Sequence, residues 1–347
     1  MLLATAAAGC GASATTPTPT PPPDPGAPSL TCPAAFMTQA PGDITVTYPA
    51  PTVTSGFAPI TGPTCTPSSG STFSTGTSTV NCTVSDAKQR TSACTFTVTI
   101  ALPPKLAVER FLAFGDSMTW GENGTDSLSG SSTTAIQRPA VQFPVSQTYP
   151  GVLQADLRGR YVSQSPTVSN GGKPSEAVTD PNTYTRYTGL ISSGSFESVL
   201  IMDGANDLGD RDASIEPSMI AVLKRMIDDA KNRGMRPVLG TLPPQNPNGC
   251  CPDRGLGWSL VPGYNDRLRD LANSEGVPLA DVYQNFNGDT TSLIGPDGLH
   301  PTAAGYDRIA STFAAAIRSA FETAAITPSL KRSLCGSTLA RCNGRSR

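Results

Sequence analysis

Residues 110–121 read RFLAFGDSMTWG. An apolar run, Phe111 to Phe114, passes directly into a polar turn holding Gly115, Asp116 and Ser117. A strand buried on both faces reads as such a run, and a parallel sheet then delivers the following turn to its carboxyl edge. The same grammar repeats downstream. Tyr149 to Arg158 has Leu153 and Leu157 one helical turn apart, and SVLIMD (198–203) is a second continuous apolar strand. Ser218 to Arg233 places Ile220, Leu223, Ile227 and Ala230 on one helix face and stops at Gly234. The strand RPVLGTL, a helix over Tyr264–Glu275, the strand VPLADV and a last helix from about Thr302 follow, the last turning Tyr306, Ile309, Phe313, Ile317 and Phe321 inward. Strands alternating with helices predict an α/β fold, three layers α/β/α around a parallel sheet, over residues 105–325. The active edge of such a sheet lies beyond the carboxyl ends of its strands.

Upstream the period changes. Between Leu30 and Ala101, DITVTY, STVNCTV and CTFTVTI place apolar residues at every second position, with Phe96, Val98 and Ile100 on one face. This predicts a small all-β sandwich over 30–101. TCPAAF, SGSTFSTGTSTVNCTVSD and ACTFTVTI resemble a hyalin-repeat module, an immunoglobulin-like domain of extracellular proteins. The resemblance implies Cys32–Cys94 and Cys65–Cys82 bridges, and a module that contacts an extracellular partner or serves as a spacer. Residues 11–29, TTPTPTPPPDPGAPS within them, are too rich in Thr and Pro to bury a core and favour extended polyproline II. The small-residue run of residues 1–10, ending at Cys10, resembles the end of a bacterial lipoprotein signal. It implies membrane attachment through a lipidated Cys10 and a secreted or cell-surface location.

Composition removes several function classes. The chain has 347 residues, 15% of them charged, with a net charge of −2, so no basic stripe is present to hold nucleic acid. Nine cysteines leave eight if Cys10 is lipidated, an even number that fits disulfides in an oxidising compartment. Zinc-type spacing is absent: there is one histidine, and the only close cysteine pair is Cys250–Cys251. The basic tail, 326–347, adds Cys335 and Cys342, and three pairings among these last four cysteines remain open. No Gly-rich phosphate loop calls for a cofactor, so none is expected.

The one histidine carries the chemistry. His300 stands in GPDGLHP, three residues after Asp297, between the final strand and the final helix. A Ser–His reaction needs an imidazole to accept the hydroxyl proton and a carboxylate to fix its tautomer; in this chain only His300 can be that base. Ser117, at the carboxyl end of the first α/β strand, is the candidate nucleophile. On these residues alone, a helix N-cap is an equally good use for it. Asn206–Asp207 likewise suits a plain strand-end turn, or an amide that supplies a donor to a developing oxyanion.

FGDSMTWG, NGGKPSEA, DGANDL and DGLHP together resemble the four ordered blocks of the SGNH (GDSL) hydrolases, a flavodoxin-like fold, in the family's order and spacing over about 220 residues. The resemblance implies a carboxylic ester hydrolase with Ser117 as nucleophile and Asp297 and His300 completing the triad. It also implies an oxyanion hole from the Ser117 N–H, the Ser175 N–H and the Asn206 amide. Ser175 departs from the family, which has glycine there; a positive φ is harder for serine, and Gly171 or Gly172 is an alternative donor. The Ser/Thr/Gly-rich stretch between Gly121 and Thr148 and the insertion PPQNPNGCCPDRGLGW border the same edge, and Trp120 is placed either to stack on substrate or to fill core. Lipid, short-chain acyl and acetylated-carbohydrate esters all remain open as substrates. The rival class is a non-catalytic adhesion or binding protein built on the same scaffold.

Overall fold

Each strand of the main sheet is short and ends in a turn on the same edge, and the central ones are apolar. In a computed structural model of the chain, residues 23–124, 141–210, 212–251 and 254–323 are described. Cys10, the first part of the Thr/Pro-rich segment, the middle of the stretch between Gly121 and Thr148, and the tail with Cys335 and Cys342 lie outside them. Five strands, β1 (Arg110–Gly115), β2 (Thr167–Gly172), β3 (Ser198–Met202), β4 (Arg236–Gly240) and β5 (Leu279–Ala280), all pair in parallel in the order β2-β1-β3-β4-β5. In this doubly wound order the switch point lies between β1 and β3. All five β3 residues are buried, as a continuous apolar run requires.

Helices α1 (Ser117–Trp120), α2 (Tyr149–Arg160), α3 (Pro181–Ile191), α4 (Glu216–Asn232), α5 (Val261–Glu275), α6 (Val282–Phe286) and α7 (Ala303–Phe321) complete the domain. They pack in two groups, α2 and α6 against α7, and α3 and α5 against α4. Tyr149 of α2 stacks on Phe313 of α7 with ring centroids 5.3 Å apart. All five inward positions read from α7 are buried. On α4, Leu223, Ile227 and Ala230 are buried, but Met219 and Met226 fill the core where Ile220 is only half-buried. The helix starts at Glu216, two residues earlier than its apolar stripe, with Pro217 in its first turn. VPLADV shrinks to the two residues of β5, because Asp281 caps α6 instead of extending the strand.

At the amino ends of the strands, Lys105–Leu106 pairs antiparallel with Glu322–Thr323, so the first and last described segments of this domain are clasped together. Glu322 also accepts from Arg160 Nε at 2.7 Å and Tyr161 OH at 2.7 Å. The clasp therefore sits at the pole opposite the strands' carboxyl edge.

Contacts divide the chain after Ala101. The first unit has a four-stranded sheet ordered Phe36–Gln39, Thr91–Ala101, Gly76–Ser85, Thr61–Thr66, and two short antiparallel pairs. Val80, Phe96, Val98 and Ile100 face Val46 and Phe73, and Tyr48 meets Phe96 edge to face at 4.9 Å. Cys32–Cys94 and Cys65–Cys82 are bonded. Packing begins ahead of Leu30: Asp24 pairs with Lys88 at 2.6 Å and Arg90 at 2.9 Å, and Thr54 N donates to Ser29 O. Those charges pin the end of the Thr/Pro-rich segment to the module. Among the described residues Cys250 and Cys251 form no disulfide, and their sulfurs lie 3.0 Å apart; their pairing with Cys335 and Cys342 lies outside the described residues.

Candidate active site

The turn after β1 is forced by close backbone approach. A Cβ on Gly115 would stand 2.0 Å from Met202 O, so only glycine lets β1 and β3 meet here. Asp116 follows as the N-cap of α1, its Oδ1 accepting from Met118 N at 2.9 Å, and α1 closes at Gly121 with φ +97°. The capping role open to Ser117 therefore goes to Asp116. Ser117 is the first helical residue, its side chain free to serve chemistry at the switch point.

His300 reaches it from the loop before α7. His300 Nε2 lies 2.8 Å from Ser117 Oγ, and Nδ1 lies 2.6 Å from Asp297 Oδ2. The other carboxylate oxygen, Asp297 Oδ1, accepts from the backbone N–H groups of Leu299 and His300, both at 3.0 Å. Burial pushes the Asp297 carboxyl upward, but the His300 hydrogen bond and charge and the two backbone amides outweigh it, leaving it below the ordinary carboxylate value. Asp297 and His300 are wholly buried, and Ser117 is 3% exposed.

Two residues at this centre went unnoticed in the sequence. Glu122 Oε2 is 3.5 Å from His300 Nε2, and Glu122 Oε1 is 3.0 Å from Arg254 Nη1. That guanidinium nitrogen is also 3.2 and 3.4 Å from the two imidazole nitrogens, so it lies over the ring. Glu122 is held by its own backbone, donating to Ser117 O and accepting from Tyr306 OH. Arg254 belongs to the insertion placed at this edge from sequence, but nothing in PDRGLGW marks it out. A loop-to-loop ion pair has no local pattern.

The other blocks gather around the same turn. Ser175 adopts φ +59°, the left-handed region that glycine occupies freely. The Ser175 loop is tied down on both sides. Asp207 accepts from Val178 N at 2.7 Å and Thr179 N at 3.0 Å, while the buried Glu176 carboxylate pairs with Arg186 and its carbonyl accepts from Asn206 Nδ2 at 2.9 Å. That last bond fixes which way the Asn206 amide faces and leaves its second N–H to another acceptor. Gly172 N–H donates to Asn170 Oδ1 at 2.9 Å, and Gly171 lies opposite Phe114 in the β1–β2 ladder. Trp120 is half-buried, and its carbonyl accepts from Gln142 and Asn170.

Beneath the turn lie two more acids. Asp116 Oδ2 and Asp203 Oδ2 are buried with no hydrogen-bond partner. Burial, partly offset by Met118 N–H and the charge of His300, pushes Asp116 up to about 6; burial and then the neighbouring Asp116 push Asp203 well above the ordinary value. Among the described residues no cluster of three or more acidic, His or Cys ligands is placed to hold a metal ion.

The GDSL-like lipase/acylhydrolase family model matches residues 113–308, and the HYR domain model matches residues 23–100. No curated protein matches. Among solved structures, a lipase/acylhydrolase from Enterococcus faecalis is 17% identical, with 61% of this chain and 97% of that chain covered and a TM-score of 0.48. LAE5, an α/β hydrolase from the metagenome of Lake Arreo, is 21% identical over 61% and 96%, at 0.46. Axe2, an acetylxylan esterase from Geobacillus stearothermophilus, is 20% identical over 60% and 94%, at 0.44. Because the first of these matches spans more than half of the 347 residues and takes in every residue from the Ser117 turn to the His300 loop, the chain belongs to the GDSL-like lipase/acylhydrolase family.

Proposed function

We propose that this protein hydrolyses carboxylic esters through an acyl-enzyme on Ser117. The observation that carries the reading is the continuous chain Ser117 Oγ–His300 Nε2–Asp297 Oδ2, at 2.8 and 2.6 Å. His300 takes the Ser117 proton as Oγ attacks the ester carbonyl, and Asp297 holds Nδ1–H and stabilises the imidazolium. The oxyanion is received by the N–H groups of Ser117 and Ser175 and the remaining N–H of Asn206. The alcohol leaves with the proton from Nε2. Water, deprotonated by the same imidazole, then attacks the acyl carbonyl and releases the acid, returning Ser117 to its hydroxyl form.

Arg254 and Glu122 border the same centre. The Arg254 guanidinium lies over the His300 ring and pairs with Glu122, whose other carboxylate oxygen faces His300 Nε2. With Ser117 3% exposed, the groups that cover it have to shift for an ester to reach Oγ. The HYR match and the two disulfides fit an extracellular setting.

The test is hydrolysis of p-nitrophenyl acetate and butyrate by wild type, Ser117→Ala and His300→Ala. Each variant is expected to lose about a thousandfold or more of kcat/KM with its thermal transition retained. A wild type that turns over neither ester and takes no fluorophosphonate label overturns the hydrolase reading and leaves a binding scaffold in its place.

A further inference from the structure

The insertion after β4, residues 241–260, returns so that both its ends wall one cavity of about 340 Å³. Gln245 comes from the first end, Trp258 and Ser259 from the second, and Tyr283 and Thr290 close it from α6 and the loop beyond. This volume is at the lower end of the range for small-molecule sites. Three features define what fits. No lining residue carries a charge. Trp258 is 49% exposed and is the one aromatic among the exposed large apolar side chains of the described residues. Gln245 is only 5% exposed, and both its amide nitrogen and amide oxygen are shut from solvent with no hydrogen-bond partner.

Leaving a donor and an acceptor unpaired in this way is unfavourable, and most buried amides avoid it. We infer that the cavity is a subsite for a neutral sugar ring, in which Gln245 turns toward the cavity to bond vicinal hydroxyls while the ring face lies on Trp258. A hydroxyl both donates and accepts, so a sugar can satisfy both ends of the amide at once. An acyl tail would cover the indole but leave the amide unpaired. A phosphate or carboxylate would find no cation.

The cavity adjoins the proposed catalytic centre. Asn246, next to Gln245, donates its N–H to Gly298 O in the Asp297–His300 loop at 2.8 Å. Gly257, next to Trp258, lies against Leu208, two residues beyond Asn206. A sugar held here places an O-acyl group of the same glycan toward that rim. The inference rests on the ester-hydrolase reading only for turnover; sugar binding is measurable without it.

Two measurements separate these. The chain has two tryptophans, so a titration of wild type with unacylated xylo-, cello- and chito-oligosaccharides, read by tryptophan fluorescence, reports Trp258 against Trp120 alone. A saturable change with at least one series, absent in Trp258→Phe, is expected. No change at millimolar sugar, an equal change in Trp258→Phe, or a response to decanoate and to no saccharide overturns the subsite. The second measurement is the ratio of kcat/KM for O-acetylated xylo-oligosaccharide to that for p-nitrophenyl acetate. The ratio should fall at least tenfold, mainly through KM, in Trp258→Ala and in Gln245→Leu. Because Gln245→Leu removes an unpaired amide, its thermal midpoint should be no lower than wild type, so a fall in the ratio cannot be a folding defect. An unchanged ratio in both variants overturns the inference while small-ester turnover leaves the hydrolase reading standing; absent small-ester turnover removes the hydrolase reading, and the fluorescence titration still decides the subsite.

Discussion

The two units reach stability by opposite routes. The β module is built from strands rich in Thr and Ser, buries a small apolar cluster, and is closed by two disulfides spanning 62 and 17 residues. The α/β unit has no disulfide among its described residues and relies on a continuous apolar core running through all five strands and both helix groups. A small domain buries a smaller share of its surface and is marginal on packing alone, whereas a larger one has stability to spare for unfavourable groups at its active edge. In this chain the tolerance is visible: two buried carboxylate oxygens without partners, Asp116 Oδ2 and Asp203 Oδ2, sit in the α/β unit.

Three perturbations sharpen or break that contrast. The largest effect belongs to the bridges. By loop-closure entropy, Cys32–Cys94 contributes about 4 kcal/mol and Cys65–Cys82 about 3 kcal/mol. Calorimetry of Cys32→Ala/Cys94→Ala and Cys65→Ala/Cys82→Ala should show the module's transition falling or vanishing. The α/β transition and small-ester turnover should stay where they are. A joint shift of both transitions would mean the two units are not independent.

Next comes the buried acid pair. Asp116, raised to about 6, and Asp203, raised further, bind protons more tightly folded than unfolded. Their contribution is therefore fully favourable below the unfolded value near 4 and is lost as pH rises through about 6 and beyond. Asp203→Asn should then stabilise the α/β unit by about 1–3 kcal/mol at pH 7–8 and flatten its stability between pH 4 and 7. Thermal melts across that range check it; a destabilised variant at pH 8 would mean the carboxylate is held by a partner. Asp297, shifted the other way, contributes stability above its unfolded value and loses it only as pH falls through its lowered folded value, below that window.

The smallest effect is at Ser175. A non-glycine residue in the left-handed region carries strain of about 1 kcal/mol. Ser175→Gly should raise the α/β melting midpoint by a few degrees and change kcat/KM for p-nitrophenyl acetate no more than about threefold, since the N–H remains. A large loss of turnover would show that the Ser175 side chain itself takes part.

Legibility followed the same division. β3 and α7 were plain because apolar runs and 3.6-residue periodicity are written in consecutive residues. β2 and α3 were not: Thr167–Gly172 is a half-exposed edge strand ending in Asn and two glycines, and α3 buries Thr183, Tyr187 and Ile191, an inward face with little apolar signal. In the same way, Ser117, Asp297 and His300 could be proposed from a lone histidine and four ordered blocks. The Glu122–Arg254 contact could not, because it joins two loops far apart in the chain and depends on backbone placement that no local residue pattern encodes.

The antiparallel clasp of Lys105–Leu106 with Glu322–Thr323 has a practical corollary. The α/β unit hands its chain over at both ends from one pole, behind the strands' amino ends. Load applied across the two ends falls first on that two-residue pairing and its Arg160–Glu322 brace, well away from the hydroxyl at Ser117.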